Sequence, residues 1–166
     1  MVRRIYVEKK PGFDAEAKNL MEDLKQDLHI KGLSDLRLIN RYDIQGIDKN
    51  TYEMAASSVF AEPALDDHWH EKLPAGKDAK VFASEYLPGQ YDQRADSAAQ
   101  CIRIIKPEAQ PIVKFARVYA LYGDITEEEL GKVIEYCINP VDSGLADDKK
   151  PVSLEMETVI PDDVPR

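Results

Sequence analysis

Chain-breaking residues recur along this sequence at one fixed separation, and that recurrence limits what it can fold into more than any other feature. Pro11 and Gly12 are answered by Pro88 and Gly89, Gly46 by Gly123 and Pro63 by Pro140, each pair 77 residues apart. Tyr42 and Tyr119 keep the same separation, so the two stretches align without a gap. Proline removes a backbone donor and glycine supplies turn conformations that other residues avoid, so these positions delimit where helices and strands can run. Identity between the stretches is barely above chance; the weight rests on the punctuation and on the order of elements between the breaks. The expected reading is an internal duplication, a pseudo-twofold pair sharing one core, with coincidence between two ordinary strand–helix units as the alternative.

Periodicity fills in the elements. Arg4 to Glu8 is β-rich and closed by Pro11-Gly12. Asp14 can cap a helix whose apolar face is Ala17, Leu20, Met21, Leu24 and Leu28, and Gly32 ends it. A second strand puts Leu36, Leu38 and Tyr42 on one side and Arg37 and Arg41 on the other, after which Gly46 turns the chain and Asp48 caps a second helix. The same order returns as a strand over Val81–Tyr86, a helix from Asp92 to about Ile105 and a strand from Ile112 to Tyr122. The last helix carries the stripe Leu130, Val133, Ile134 and Cys137, and Thr126 to Glu129 forms a capping box at its start. The expected fold class is α+β: duplicated strand-helix-strand-helix units on a largely antiparallel sheet with helices packed on it. Residues 1–63 form the first repeat, 64–79 a linker without a clear period, 80–140 the second repeat, and 141–166 a tail. That tail alternates over Val152–Ile160 as one more possible strand and ends in a linker-like Pro161–Arg166, so the chain is expected to be the N-terminal fragment of something longer.

Totals exclude several classes. With 43% hydrophobic and 32% charged residues the composition is globular, and no apolar run approaches the roughly 20 residues of a membrane helix. The N-terminal Met1–Val7 run breaks at Glu8-Lys9-Lys10, which is no secretion signal, so the expected location is the cytoplasm. A net charge of −9 repels a phosphate backbone, and nucleic acid is excluded as a partner along with membrane. Cys101 and Cys137, outside any Cys-x-x-Cys context, read as reduced, buried thiols.

No catalytic set assembles. A Ser or Cys nucleophile needs a base beside it, usually His. His29 ends a helix, and His68 and His70 flank Trp69 behind Asp66 and Asp67. That cluster could ligate a metal, but an exposed loop is the plainer reading, and no metal or cofactor is expected here. The glycines are scattered singly, so phosphate-binding loops are missing. The stretch that stands out is Leu87 to Cys101, in which Pro88, Gly89, Gln90, Gln93, Arg94, Asp96 and Ser97 crowd a turn and the first turns of an Ala-rich helix. It reads as a docking surface, with Arg94 and Asp96 as hydrogen-bonding anchors and Gly89 allowing close backbone approach; an anion at the helix start and ordinary capping are the alternatives.

Leu87–Cys101, together with Asn40-Arg41-Tyr42-Asp43, Val59–Pro63 and Tyr136–Ser143, resembles the N-terminal region of the phosphoribosylformylglycinamidine synthases, in the large single-chain form of clostridia-like bacteria. The likeness spans essentially the whole chain. It implies a domain like a fused dimer of the small PurS-type subunit, within an enzyme that uses ATP, Mg and glutamine to convert formylglycinamide ribonucleotide to its amidine in purine synthesis. The synthetase core and the glutaminase would be its partners in the same polypeptide, and the domain would be inactive alone, docking both and shielding ammonia between them. Its exposed edges could also drive self-association. A small-molecule-binding regulatory module with an apolar pocket at the seam, and an independent enzyme, are the competing readings.

Overall fold

A computed structural model describes residues 1–154. Six strands, β1 (Val2–Lys9), β2 (Leu33–Gln45), β3 (Asp66–His70), β4 (Lys80–Tyr86), β5 (Ile112–Gly123) and β6 (Ser143–Leu145), form one sheet in the order β3-β1-β2-β5-β4-β6. Every pairing is antiparallel. Four helices, α1 (Ala15–Asp27), α2 (Lys49–Ala55), α3 (Gln93–Ile105) and α4 (Glu127–Cys137), complete the α+β fold, with a π-turn over Ala56–Phe60 extending α2. No described helix is long and apolar enough to cross a membrane.

The sheet order reads the same outward from the central β2–β5 ladder. At the middle of that ladder Asn40 pairs with Arg117, two positions that are themselves 77 apart. Val7 pairs with Asn40 on one side and Ser84 with Arg117 on the other, again at equivalent positions. The glycines with positive φ are Gly12, Gly46, Gly89 and Gly123, the two glycine pairs of the recurrence. Gly123 is also hemmed in: a Cβ there would lie 2.1 Å from the carbonyl oxygen of Gly32.

Alternation along the strands sorts the side chains between two faces. One face carries Ile5, Val7, Leu36, Tyr42, Ile44, Phe82, Phe115, Tyr119 and Leu121 and takes all four helices. α1 and α4 pack over one end, where Leu24, Leu33, Leu121 and Val133 are almost completely buried; α2, the π-turn and α3 pack over the other around Ile5, Ile44 and Ile102. Burial of one such side chain is worth about 1.5–3 kcal/mol, so each helix pair fastens one half of the chain to the other. The N-caps at Asp48, Asp92 and Thr126 each accept a backbone N–H, and Thr126 with Glu129 closes the expected capping box. Asp14 sits at the N-cap of α1, but its carboxylate accepts from Gly12 instead.

Among the described residues the opposite face carries no helix. A small cluster of Tyr6, Ile39, Ala83, Ala116 and Val118 lies there beside charged side chains, covered by Trp69, Leu73 and the segment after β6.

Some expectations need correction. The 64–79 segment is no simple linker: Asp66–His70 pairs with β1 as an edge strand, which its mixed Asp, His and Trp pattern concealed because neither of its faces is fully buried. His68 and His70 therefore sit on a strand, and the Tyr52 hydroxyl lies 2.7 Å from His70 Nδ1, tying β3 to α2. The polar tail contains β6, a three-residue strand held by β4. Cys101 is exposed, because α3 turns its alanines rather than its cysteine to the core. The possible strand over Val152–Ile160 lies outside the described residues from Glu155 on, and Val152–Leu154 are not in a strand.

Candidate functional site

The two helix pairs stand apart over the middle of the sheet and leave a cleft of about 740 Å³. Its floor is Val7, Leu38, Asn40 and Tyr42, and its walls are the start of α1, from Phe13 to Ala17, and the Ser58–Glu62 end of the π-turn. On the other side of the Asn40–Arg117 pair a smaller hollow of about 360 Å³ continues over Phe115, Arg117 and Tyr119. Arg94 and Arg117 line both parts.

Both arginines are held from below or beside. The Arg117 guanidinium meets the Glu16 carboxylate with Nη1–Oε2 at 2.5 Å and Nη2–Oε1 at 3.4 Å, which bridges β5 of the second half to α1 of the first. Arg94 lies over the Phe115 ring, 5.4 Å from its centroid, a contact worth about 0.5–1 kcal/mol at an exposed site. Burial pushes the Tyr42 phenol above its ordinary pKa, and Arg94 beside it opposes that rise. Burial likewise raises the Asp92 carboxyl, against the backbone N–H groups of Ala95 and Arg94 and the charge of Arg94.

The structure divides the expected docking residues into three places. Gln93, Arg94 and Ser97 share a shallow groove with Tyr42, Val59 and Cys101, opening toward the central cleft. Pro88, Gly89 and Gln90 form the exposed turn before α3, closed by the Gln90 N–H on the Leu87 carbonyl, and a Cβ at Gly89 would meet nothing within 4 Å. Asp96 is separate from the Arg94 group, accepting from the Tyr91 hydroxyl and Gln100 Nε2, each at 2.8 Å. No protein-family model matches this chain, and no curated protein matches it at a significant level.

Asn40, read only within the family resemblance, and Arg117 were not among the expected site residues, yet both carried a signal. Each interrupts an apolar alternation, Leu36-Leu38-Asn40-Tyr42-Ile44 in one strand and Phe115-Arg117-Tyr119-Leu121 in the other, at the recurring separation of 77.

Chemically the cleft can orient and bind through hydrogen bonds and ion pairs. Among the described residues no histidine or cysteine lines either part of it. Burial pushes the Cys137 thiol up to about 11, so it is protonated and inert near neutral pH. Among the described residues no three His, Cys, Asp or Glu side chains gather where they could hold a metal ion.

Proposed function

We propose that this chain is a docking and coupling domain without its own catalytic centre, the PurS-like N-terminal domain of a cytoplasmic phosphoribosylformylglycinamidine synthase. The observation that carries the reading is the central ladder, in which positions 77 apart meet at Asn40–Arg117 and each flanking strand and helix has its counterpart at the same offset. A fused dimer of a small two-strand, two-helix subunit would have this layout, with the subunit interface turned into the β2–β5 pairing. The exposed turn at Pro88–Gln90 and the adjoining Gln93, Arg94 and Ser97 then face the synthetase core, and the domain helps exclude water from the path of ammonia out of the glutaminase. ATP, Mg and glutamine belong to those partner domains.

The test is reconstitution. Purified chain is mixed with the synthetase and glutaminase portions, and complex formation and glutamine-dependent amidine formation are followed. Binding together with recovery of glutamine coupling is the expected result, and Arg94→Ala should weaken both. Full glutamine-dependent activity without the chain, or no binding, overturns the proposal. A second reading, a small-molecule-binding module, draws on the cleft at the seam. It predicts a saturable rise in melting temperature with amino acids or nucleotides that Asn40→Leu abolishes.

A further inference from the structure

The helix-free face of the sheet holds two buried arginines and one buried aspartate. Arg4, Arg41 and Asp43 are 2%, 6% and 4% exposed. Both oxygens of Asp43 are taken by Arg4, with Nε–Oδ1 at 2.7 Å and Nη2–Oδ2 at 2.9 Å. Arg4 also donates to the main-chain carbonyls of Asp148 at 2.6 Å and Lys149 at 3.4 Å. Arg41 has no such partner: among the described residues no carboxylate or carbonyl accepts from its guanidinium. A guanidinium does not shed its proton in a protein, so it cannot escape burial by becoming neutral. Burial and the charge of Arg4 both act against its charged form, with Asp43 and Glu85 the carboxylates that favour it. Glu85 is itself engaged by Lys114 at 3.5 Å. A buried guanidinium with no hydrogen-bonded counter-ion is costly, and a fold that keeps one calls for an explanation.

Its surroundings suit an anion. Arg41 pairs across the sheet with Tyr6 on β1 and Ala116 on β5, so a phenol stands to one side of it and a methyl group to the other. The Tyr6 hydroxyl accepts from Arg4 Nη1 at 3.4 Å, which leaves its own proton free to donate. The segment after β6 crosses this row as a strap. Ala146 N–H is anchored on the Ala83 carbonyl of β4, and Asp148 and Lys149 are anchored on Arg4 of β1; the register carries the chain diagonally over Ala116 and Arg41 between those points. Near Arg4 the strap offers main-chain carbonyls, whose partial charge does not neutralise the pair of arginines.

We propose that Arg41, flanked by Tyr6 and Arg4 under the strap of residues 146–150, is a binding site for a small oxyanion, a phosphate- or carboxylate-bearing group. The ligand accepts from the Arg41 fork and the Tyr6 hydroxyl and supplies a directly bonded counter-charge, since Asp43 is taken up by Arg4 and Glu85 by Lys114. The site lies on the opposite side of the sheet from the Arg94–Arg117 cleft and stands independently of the docking reading.

Thermal unfolding of the whole chain tests it, with sodium phosphate and sodium acetate as separate arms against sodium chloride at equal ionic strength. The wild type should gain about 3–5 °C for each tenfold increase in the effective anion above its Kd. A response to phosphate alone makes the ligand a phosphoryl group; a response to both makes it any small oxyanion. Arg41→Met should abolish the response and melt no lower than the wild type in chloride, whereas Arg103→Met, an exposed arginine on α3, should keep it. A wild type that responds to neither anion beyond chloride, or an Arg41→Met protein that responds fully, overturns the site. If Arg41→Met does not fold, the Arg41 Nε–H resonance of the wild type decides the matter: a saturable shift on phosphate or acetate titration supports the site, and no shift with either refutes it.

Discussion

Replacing Gly123 with alanine, with Gly89→Ala as its control, separates two costs that usually come together. Both glycines have positive φ, +122° and +91°, so an alanine at either is strained by about 1–2 kcal/mol. Around Gly89 a new Cβ finds open space. At Gly123 it would lie 2.1 Å from the Gly32 carbonyl oxygen and 2.7 Å from Ser34 N, where ordinary contact needs 3.4 Å or more. The end of the β2–β5 ladder must therefore open by an ångström or more. That movement breaks the 3.0 Å hydrogen bond from Asp124 N–H to the Gly32 carbonyl, worth about 1 kcal/mol, and disturbs the packing of Leu33 and Leu121 beside it. The expected losses are about 1–2 kcal/mol for Gly89→Ala and about 3–5 kcal/mol for Gly123→Ala. In a domain of this size they correspond to melting-temperature drops of about 2–8 °C and about 6–20 °C. Circular dichroism during heating, with urea unfolding as a check on the m-value, reads both. If Gly123→Ala costs no more than Gly89→Ala, the close approach of Gly32 and Gly123 does not govern the central ladder, and the steric argument fails.

Asp43→Asn should destabilise the chain by about 3–5 kcal/mol, since it leaves two buried guanidiniums facing a neutral amide. Adding Arg41→Met should restore more than about 1 kcal/mol of that loss in a double-mutant cycle followed by urea unfolding, and additive effects would contradict the coupling of the two arginines. Burial raises the Tyr119 phenol to about 12 and the Cys137 thiol to about 11, from ordinary values of 10 and 9. The folded state thus holds these protons longer than the unfolded state, so their contribution is intact below pH 9 and is lost as the pH rises through 11 and 12. Tyr119→Phe should flatten the upper part of that decline in urea titrations run at stepped pH. Thr126→Ala removes the acceptor for the Glu129 N–H and should cost about 1 kcal/mol with the m-value unchanged.

The elements that were legible in the sequence are those written in local chemistry. β1, α1, β2, α2, β4, α3, β5 and α4 follow from alternation, helical stripes, caps and breakers, and the punctuation at intervals of 77 anticipated the matching order of elements. The strands that escaped, β3 and β6, lie at the two edges of the sheet, where one neighbour and partial burial impose no period on side chains such as Asp66, His68 and Trp69. Of the expected docking residues, the sequence alone could place Gln93, Arg94 and Ser97 on the first turns of a helix, but not beside Tyr42 from the other half.

Sequence by itself determined the α+β class, the approximate extent of the helices and which side chains of the inner strands share a face, because these depend on residues within a few positions of one another. Tertiary structure decided that α1 pairs with α4 and α2 with α3, that Asn40 meets Arg117, and that Arg4 claims both oxygens of Asp43 and leaves Arg41 without a hydrogen-bonded counter-ion among the described residues. Those outcomes depend on the register of the β2–β5 ladder, a choice between distant segments. Pairing strands so far apart in the chain is governed by which register buries the most apolar surface at once, and no local pattern encodes that sum.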